Sequence, residues 1–272
     1  MSSRPLVPAA DVPASLLTDP SRVLLGLDFD GTLAHVVDDP TQAFAHPASV
    51  EAVARLGHVL GQVAVVTGRP VDQVLALSGF RGLAGLDRLV VCGQYGAERW
   101  DALGDVHHRP ERPASVERLA TVLPGWLADH DAAHVRIEDK GLAVAIHTRG
   151  LGSDLLAALD APLRDLAADL DLDVEPGRQV LELRGVRVDK GVALRGIVEQ
   201  VRPLHVVYAG DDLGDLPAFD EVDRLRDEGV DGTLVCSAST EQDALVARSD
   251  VVLDGPDGVA AWLTAWADAL GA

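Results

Sequence analysis

Short apolar runs and regularly spaced apolar residues recur along much of the chain, a pattern that is typical of buried strands and amphipathic helices. The predicted strands of this pattern cover 24–27, 63–66, 89–92, 205–209, 233–236 and 251–253, and the predicted helices cover 47–60, 71–78, 190–201 and 258–270. The strands are short apolar runs, and the helices repeat apolar residues every three or four positions. This β-α-β-α-β order predicts a parallel sheet that is covered by helices on both faces.

The middle of the chain has a different pattern, which follows a polar, Pro-rich linker at 107–113. Its predicted helices cover 114–130 and 153–170, and its predicted strands cover 134–138, 142–149, 171–174 and 179–184. We expect Pro124 and Gly125 to interrupt or end the first of these helices. The α-β-β-α-β-β order predicts a separate α+β domain that is inserted into the parallel-sheet domain.

The change of pattern divides the chain into four segments. These are a flexible N-terminal arm (1–20), the first part of a core domain (21–106), a cap domain (107–186) and the second part of the core (187–272). The length of 272 residues is sufficient for these two domains and for a sizeable apolar core.

The charge of the chain narrows the class of partner. A formal net charge of −20 argues against nucleic acid and against an anionic membrane surface. An anionic substrate would therefore have to be met by a local positive group. Lys140 and Lys190 are the only two lysines among 23 basic residues, so each is a candidate for such a role. We expect a monomer that binds a small molecule.

The cysteines and the N-terminus bear on the cellular compartment. Cys92 and Cys236 form no CxxC pattern, and each follows an apolar run, so we interpret both as core residues. The first 20 residues lack the basic head and long apolar core of a signal peptide, and no apolar run reaches 18 residues. These features indicate a reduced, cytoplasmic protein.

Polar residues collect where the predicted parallel strands end. Asp28 and Asp30 close the first strand, Thr67-Gly68-Arg69 follows the second, and the 210–215 segment Gly-Asp-Asp-Leu-Gly-Asp follows a later one. Lys190 begins a helix. Since ligands of open α/β sheets bind at the carboxyl ends of the strands, we expect these groups to share one site. The alternative is that the two aspartates are solvated acids at a surface strand end.

The chemical types in this set indicate a reaction on phosphate. Oxygen ligands without cysteine or clustered histidine suit Mg²⁺ rather than zinc. One carboxylate can attack phosphorus to give an aspartyl-phosphate, and a second can move protons to the leaving group and from water. A threonine hydroxyl and a lysine ammonium can hold the phosphate oxygens. Each element alone is common in turns and helix caps, so only their ordered combination is specific.

The combination resembles the four motifs of the haloacid dehalogenase-like phosphohydrolases. Asp28-Phe29-Asp30-Gly31-Thr32 matches the first motif, Thr67 the second, Lys190 the third and Gly210-Asp211-Asp212 the fourth. Dehalogenase members lack the second aspartate of the first motif, so Asp30 indicates phosphate chemistry.

From about residue 20 to the end, the chain is similar to the trehalose-6-phosphate phosphatases. Residues 65–69 look like the second motif of that family, residues 137–149 like the hairpin of its cap, and residues 180–184 with 189–191 also fit. The resemblance implies a Rossmann-like parallel-sheet core with an inserted α+β cap domain. It also implies Mg²⁺-dependent hydrolysis of trehalose 6-phosphate in trehalose biosynthesis.

The resemblance also implies roles for individual residues. The implied catalytic residues are Asp28 as nucleophile, Asp30 as general acid/base, Thr67 and Lys190. The implied magnesium ligands are Asp28, the Asp30 carbonyl and Asp211, with Asp212 or Asp215 in support. The implied substrate-binding residues are Gly68, Arg69, Glu138, Lys140, His147, Arg149 and Glu182. Alternation along the cap strands places polar residues on one face, which could equally be an ordinary solvated face.

Two segments depart from the family pattern. Gln94-Tyr95-Gly96 stands where a turn with asparagine or histidine is common, and residues 213–217 lack the usual extra acids. Two alternatives therefore stay open. The protein could hydrolyse another sugar phosphate, such as sucrose phosphate or a mannosyl-compound phosphate, or it could be a non-catalytic sugar-phosphate sensor.

Overall fold

The computed structural model describes residues 12–148, 150–151, 153–177, 180–238 and 243–272. The chain forms two units, which we call the core unit (residues 1–108 and 188–272) and the inserted unit (residues 109–187). Each unit has its own sheet and its own apolar core.

The elements are numbered in chain order. The strands are β1 (Val23–Leu27), β2 (Gln62–Val66), β3 (Val90–Gly93), β4 (Glu98–Asp101), β5 (Val106–His108), β6 (Arg136–Asp139), β7 (Ala143–His147), β8 (Asp173–Gly177), β9 (Val180–Arg184), β10 (His205–Gly210), β11 (Asp231–Ala238) and β12 (Val251–Asp254). The helices are α1 (Ser15–Thr18), α2 (Pro47–Gly57), α3 (Val71–Ser78), α4 (Ala114–Asp129), α5 (Ser153–Asp169), α6 (Lys190–Val201), α7 (Leu216–Asp227), α8 (Asp243–Arg248) and α9 (Gly255–Leu270).

The sheet of the core unit has the order β12-β11-β10-β1-β2-β3-β4-β5. The strands from β12 to β3 are parallel, and β4 and β5 extend the sheet in antiparallel fashion. Strand β1 lies in the middle, with Leu27 in register with Val65 of β2 and Ala209 of β10. The ends of these three strands therefore meet at one edge. The predicted α/β fold class with a mainly parallel sheet is confirmed.

The two faces of this sheet pack into separate apolar clusters. Leu25 and Leu27 of β1 belong to the cluster that contains Trp262 and Trp266 of α9, whereas Leu24 belongs to the other cluster with Tyr208. Successive strand residues point to opposite faces, so a strand that is covered on both sides has to be apolar throughout. This explains the uninterrupted apolar run that precedes Asp28.

The inserted unit has an antiparallel sheet in the order β6-β7-β9-β8, together with α4 and α5. Val144 of β7 and Leu183 of β9 are fully buried in a cluster with Leu123 of α4 and Leu163 of α5. Helices therefore cover one face of the sheet.

The expectation that Pro124 and Gly125 end the first helix of this unit is wrong, because α4 continues through both residues to Asp129. The buried side chains Leu119, Leu123 and Leu127 anchor both halves of the helix to the same apolar cluster. This packing outweighs the backbone hydrogen bond that a proline removes.

Several elements lie beyond the predicted ones. Strands β4 and β5 and helices α7 and α8 were not predicted, and β5 includes the start of the expected linker. Residues 1–11 of the expected N-terminal arm lie outside the described residues, whereas Leu16 of α1 is fully buried in the core. In the described part of the chain, none of the helices has the length and apolar character that a membrane span requires.

Candidate active site

Three carboxylates meet at the carboxyl edge of the core sheet. The Asp28 backbone N–H continues the β1–β10 pairing by donating to the Ala209 carbonyl at 2.9 Å. Oxygens of Asp28, Asp211 and Asp215 lie within 4.8 Å of one another. The turn after β1 makes this approach possible, since Gly31 has a φ of +74° and a Cβ there would lie 2.0 Å from Asp211 Oδ2. Only glycine fits at this point.

Lys190 brings one positive charge into the cluster. Its Nζ donates to Asp28 Oδ1 at 2.6 Å and to Asp215 Oδ1 at 2.8 Å, and the side chain is only 4% exposed. Burial alone would lower the pKa of Lys190, but Asp215 and Asp28 raise it well above the ordinary value. Burial raises the pKa of Asp28, and the lysine opposes that effect. The amine therefore stays protonated beside the predicted nucleophile.

The Asp215 side chain is fully buried and accepts four hydrogen bonds. Oδ1 accepts from Lys190 Nζ and from the Tyr208 hydroxyl, each at 2.8 Å. Oδ2 accepts from the backbone N–H of Asp211 at 3.0 Å and of Asp212 at 3.3 Å. A carboxylate has about four acceptor positions, so these donors occupy all of them. Asp215 thus fixes the shape of the loop that carries Asp211.

Asp211 and Asp212 differ in their surroundings. Among the described residues, the Asp211 carboxylate accepts no hydrogen bond, and burial together with Asp28 and Asp212 raises its pKa to about 10. Asp212 is exposed, and its Oδ1 accepts from the Gly214 N–H at 2.9 Å. Although part of Asp212 reaches solvent, desolvation by the surrounding loop and the charge of Asp215 raise the pKa of its carboxyl group.

The donor set of this cluster fits a magnesium ion. Lys190 is the one cation that contacts Asp28 and Asp215 in the described residues, and the neighbouring carboxylates outnumber it. Asp28 and Asp211 keep oxygen atoms that accept no hydrogen bond there. Mg²⁺ binds oxygen ligands of this kind, and a divalent charge would offset the repulsion between the carboxylates.

Asp30 is paired with Arg69 rather than with the carboxylate cluster. The guanidinium donates from Nε to Asp30 Oδ2 at 2.6 Å and from Nη2 to Asp30 Oδ1 at 2.7 Å. A third N–H donates to the Pro40 carbonyl at 2.9 Å. In the same loop, the Thr67 hydroxyl is buried and accepts from the Arg69 backbone N–H at 3.2 Å. Thr67 and Asp30 are therefore linked through one arginine.

A turn that sequence reasoning noted only as a departure holds this loop in place. The backbone N–H groups of Gln94 and Tyr95 donate to the carbonyls of Arg69 and Thr67 at 2.9 and 2.8 Å. Gln94 and Tyr95 have φ values of +46° and +61°, which non-glycine residues adopt only under constraint. The Tyr95 ring covers Gly68, where an added Cβ would lie 2.9 Å from the ring. In the sequence, a glycine directly after two polar residues at a strand end indicates this turn.

The predicted residues of the inserted unit contact one another in two pairs. His147 Nε2 lies 2.8 Å from Glu138 Oε2, and Lys140 Nζ contacts Glu182 Oε2. The His147 hydrogen bond, aided by Lys140, lowers the pKa of Glu138 to about 2. Glu182 Oε1 is buried and, among the described residues, has no hydrogen-bond partner. Arg149 lies outside the described residues.

The sheet register explains why these side chains are neighbours. Glu138, Ala145 and Glu182 are paired across β6, β7 and β9, so they occupy one row on the face opposite the leucine-rich core. Ala145, between the two glutamates, is fully buried. The result is a polar face with both signs of charge and a free acceptor atom, which suits hydrogen bonding to hydroxyl groups.

Comparison with known proteins identifies the family. The model of the family described as trehalose-phosphatase matches residues 26–250. The chain belongs to the trehalose-phosphatase family. Members of this family are phosphatases, and the match includes Asp28, Thr67, Lys190 and Asp211.

Relatives and solved structures agree with this membership. The chain is 32% identical over 251 residues to a trehalose-phosphate phosphatase of Mycolicibacterium paratuberculosis, covering 89% of this chain and 61% of the relative. Across the first relatives, the chain spans between 15% and 61% of their length.

Two solved structures have the same fold. The C-terminal domain of trehalose-6-phosphate phosphatase from C. albicans superposes with a TM-score of 0.74 at 18% identity, covering 93% of this chain and 94% of that one. A haloacid dehalogenase-like hydrolase from Bacteroides thetaiotaomicron gives a TM-score of 0.61 at 15% identity, with 88% and 97% coverage. This chain therefore has the haloacid dehalogenase-like fold.

Proposed function

We propose that this protein is a Mg²⁺-dependent phosphatase that hydrolyses trehalose 6-phosphate to trehalose and phosphate through an aspartyl-phosphate. The observation that carries the proposal is the buried Asp28–Lys190–Asp215 arrangement at the sheet edge, in a chain of the trehalose-phosphatase family. A protein that only bound a sugar phosphate would not need a buried carboxylate fixed beside an ammonium group.

In the proposed first step, Asp28 attacks phosphorus through Oδ2, since Oδ1 accepts from Lys190. The bond between phosphorus and the sugar oxygen breaks, and protonated Asp30 gives its proton to that oxygen. Lys190 and the Thr67 hydroxyl bind non-bridging phosphate oxygens. A magnesium ion bound by Asp28, the Asp30 carbonyl and Asp211 would supply positive charge against the phosphate.

In the proposed second step, water hydrolyses the aspartyl-phosphate. Ionised Asp30 accepts a proton from the water as its oxygen attacks phosphorus, and Asp28 leaves as a carboxylate. Asp30 thereby recovers the proton that it gave in the first step, so the cycle closes without net change in the protein. Asp215 stays outside the chemistry and holds Lys190 and the Asp211 loop.

For the sugar, we propose that Glu138, Lys140, His147 and Glu182 of the inserted unit supply hydrogen bonds to hydroxyl groups. Their shared face and the unpartnered Glu182 Oε1 support this role. We also propose a cytoplasmic monomer, for which the two buried free cysteines and the net charge of −20 are the support. Arg69, which the resemblance implies as a substrate-binding residue, donates to Asp30 and to the Pro40 carbonyl.

The test is phosphate release from a panel of sugar phosphates by wild type, Asp28→Asn and Asp189→Asn. Asp28→Asn should abolish turnover and retain a native circular dichroism spectrum. Asp189→Asn is the matched control, because Asp189 is an exposed helix cap that accepts from the Val192 N–H and asparagine caps helices equally well. Metal removal by EDTA should stop turnover, and added Mg²⁺ should restore it.

Two outcomes would contradict the proposal at different points. Turnover by Asp28→Asn would show that the nucleophile is wrong. Faster release from sucrose phosphate or a mannosyl-compound phosphate than from trehalose 6-phosphate would leave the chemistry intact but overturn the substrate.

A further inference from the structure

The Asp30–Arg69 pair has a geometry that a simple surface ion pair lacks. Both carboxylate oxygens of Asp30 accept from one guanidinium, at 2.6 and 2.7 Å. The Arg69 side chain is 11% exposed, whereas that of Asp30 is 37% exposed. The Arg69 guanidinium also lies 5.7 Å from the centre of the Phe29 ring. The arginine is thus fixed inside the core unit, and its carboxylate partner faces solvent.

We propose that Arg69 is a positioning residue for the proton transfers of Asp30, and not a ligand of the substrate phosphate. The inference rests on the proposed function, because it assigns Asp30 the acid and base roles. It reassigns Arg69, which the family resemblance had implied as a substrate-binding residue.

The hydrogen bonds of Arg69 leave little of it for a substrate. Of the five N–H donors of a guanidinium, two bind Asp30 and one binds the Pro40 carbonyl. The backbone around it is equally engaged, with its N–H on Thr67 and its carbonyl on Gln94. To reach a phosphate, the side chain would have to break a bidentate charge-assisted pair, which is among the strongest hydrogen-bonding arrangements in proteins.

The geometry also explains why Asp30 needs a partner of this kind. Asp30 comes two residues after Asp28, and its side chain is 37% exposed. Without a partner, a half-exposed aspartate could rotate into solvent. The planar guanidinium holds both oxygens in a single plane, so the carboxylate keeps one orientation at the site.

The two proton transfers use this pair in opposite ways. An ionised carboxylate accepts strongly from Arg69 at both oxygens, whereas the oxygen that carries the proton in a carboxylic acid is a much weaker acceptor. Giving the proton to the leaving oxygen therefore strengthens the second Arg69 hydrogen bond. Accepting a proton from water weakens that bond again, while the first bond keeps Asp30 in place. Arg69 would thus favour proton donation to a poor leaving group.

The test measures how strongly the rate depends on the leaving group. The value of kcat/KM for para-nitrophenyl phosphate and for phenyl phosphate is determined for wild type, Arg69→Gln, Arg69→Lys, Asp30→Asn and the double variant Asp30→Asn/Arg69→Gln. The value of kcat/KM reports on the steps up to phosphorylation of Asp28, in which nitrophenolate leaves without a proton but phenolate benefits from one. Arg69→Gln should lower kcat/KM for phenyl phosphate by on the order of tenfold more than kcat/KM for para-nitrophenyl phosphate. In the Asp30→Asn background, Arg69→Gln should lower kcat/KM for phenyl phosphate by less than about twofold.

Arg99→Gln is the matched control, because Arg99 forms a comparable pair with Asp101 on β4 and lies outside the proposed machinery. It should affect both esters equally and weakly. Arg69→Lys keeps the charge without the fork, so it should show an intermediate leaving-group effect and provides the measurement if Arg69→Gln does not fold.

Equal losses of Arg69→Gln on both esters, or full additivity with Asp30→Asn, would overturn the inference and indicate direct phosphate binding. A wild type that hydrolyses the aryl phosphates with the expected pattern but not trehalose 6-phosphate would overturn the proposed substrate while supporting the role of Arg69.

Discussion

Replacing Asp215 by asparagine tests the four-donor arrangement that organises the site. The amide keeps the shape of the carboxylate but turns one acceptor oxygen into an NH₂ group. One orientation would set that NH₂ against the backbone N–H groups of Asp211 and Asp212, and the other would set it against Lys190 and Tyr208. Two buried donors lose their acceptor in either case.

The second orientation should cost less, because the Tyr208 hydroxyl can rotate and accept from the new NH₂ group. Lys190 then keeps only Asp28 as a partner within the buried site. An unsatisfied buried donor costs about 1–3 kcal/mol, and a buried charge that loses a partner costs more. We therefore expect the free energy of unfolding to fall by about 2–4 kcal/mol.

Urea unfolding in metal-free buffer, followed by the fluorescence of the buried tryptophans, measures this loss. Asp189→Asn is again the control and should change the free energy of unfolding by less than about 0.5 kcal/mol. A loss below about 1 kcal/mol for Asp215→Asn would refute the reasoning, because the four hydrogen bonds would then not be formed in solution. A stable variant with weakened Mg²⁺ binding would instead identify Asp215 as a metal ligand.

Three further predictions concern the turns and the inserted unit. Gly31→Ala should abolish activity with the fold retained, since its Cβ would lie 2.0 Å from Asp211 Oδ2; native-like Mg²⁺-dependent turnover would contradict this. Gly68→Ala should lower kcat, because its Cβ would lie 2.9 Å from the Tyr95 ring and would displace that ring. Adding Tyr95→Ala to the same chain should remove the clash and partly restore kcat. Glu138 has a pKa lowered from 4.5 to about 2, so its stabilisation is complete above pH 4.5 and is lost as the pH falls toward 2. Between these values, Glu138→Gln should show a flatter dependence of unfolding free energy on pH than wild type, by at most about 3 kcal/mol.

Much of the fold was predictable because buried parallel strands leave a strong signal. The run before Asp28 is apolar on both faces, and helix α6 begins and ends as predicted. Strands β4 and β5 escaped because they mix Glu98, Trp100 and polar residues at the sheet edge. Helix α4 was misjudged because the packing of its leucines, which outweighs Pro124, is a tertiary effect.

For the site, the sequence indicated which residue types gather at the sheet edge but not how they pair. Asp28 and Lys190 are in contact as the motif order suggested. The Arg69–Asp30 pair joins residues 39 apart in the chain, and the Lys190–Asp215 pair joins residues 25 apart. No local spacing rule predicts either pair, since both depend on side-chain directions at the edge of the folded sheet.

The central position of β1 has a consequence for how the protein is made. Asp28 and Lys190 are 162 residues apart in the chain, and β10 follows Lys190. At ribosomal rates, roughly 10–30 s pass between the synthesis of β1 and that of β10. During this time, the edge of β1 that later pairs with β10 has no partner strand. The inserted unit, with its own core, is synthesised during this interval. During that time, the nascent chain would be sensitive to anything that pairs with a free strand edge, such as another nascent copy on the same messenger RNA.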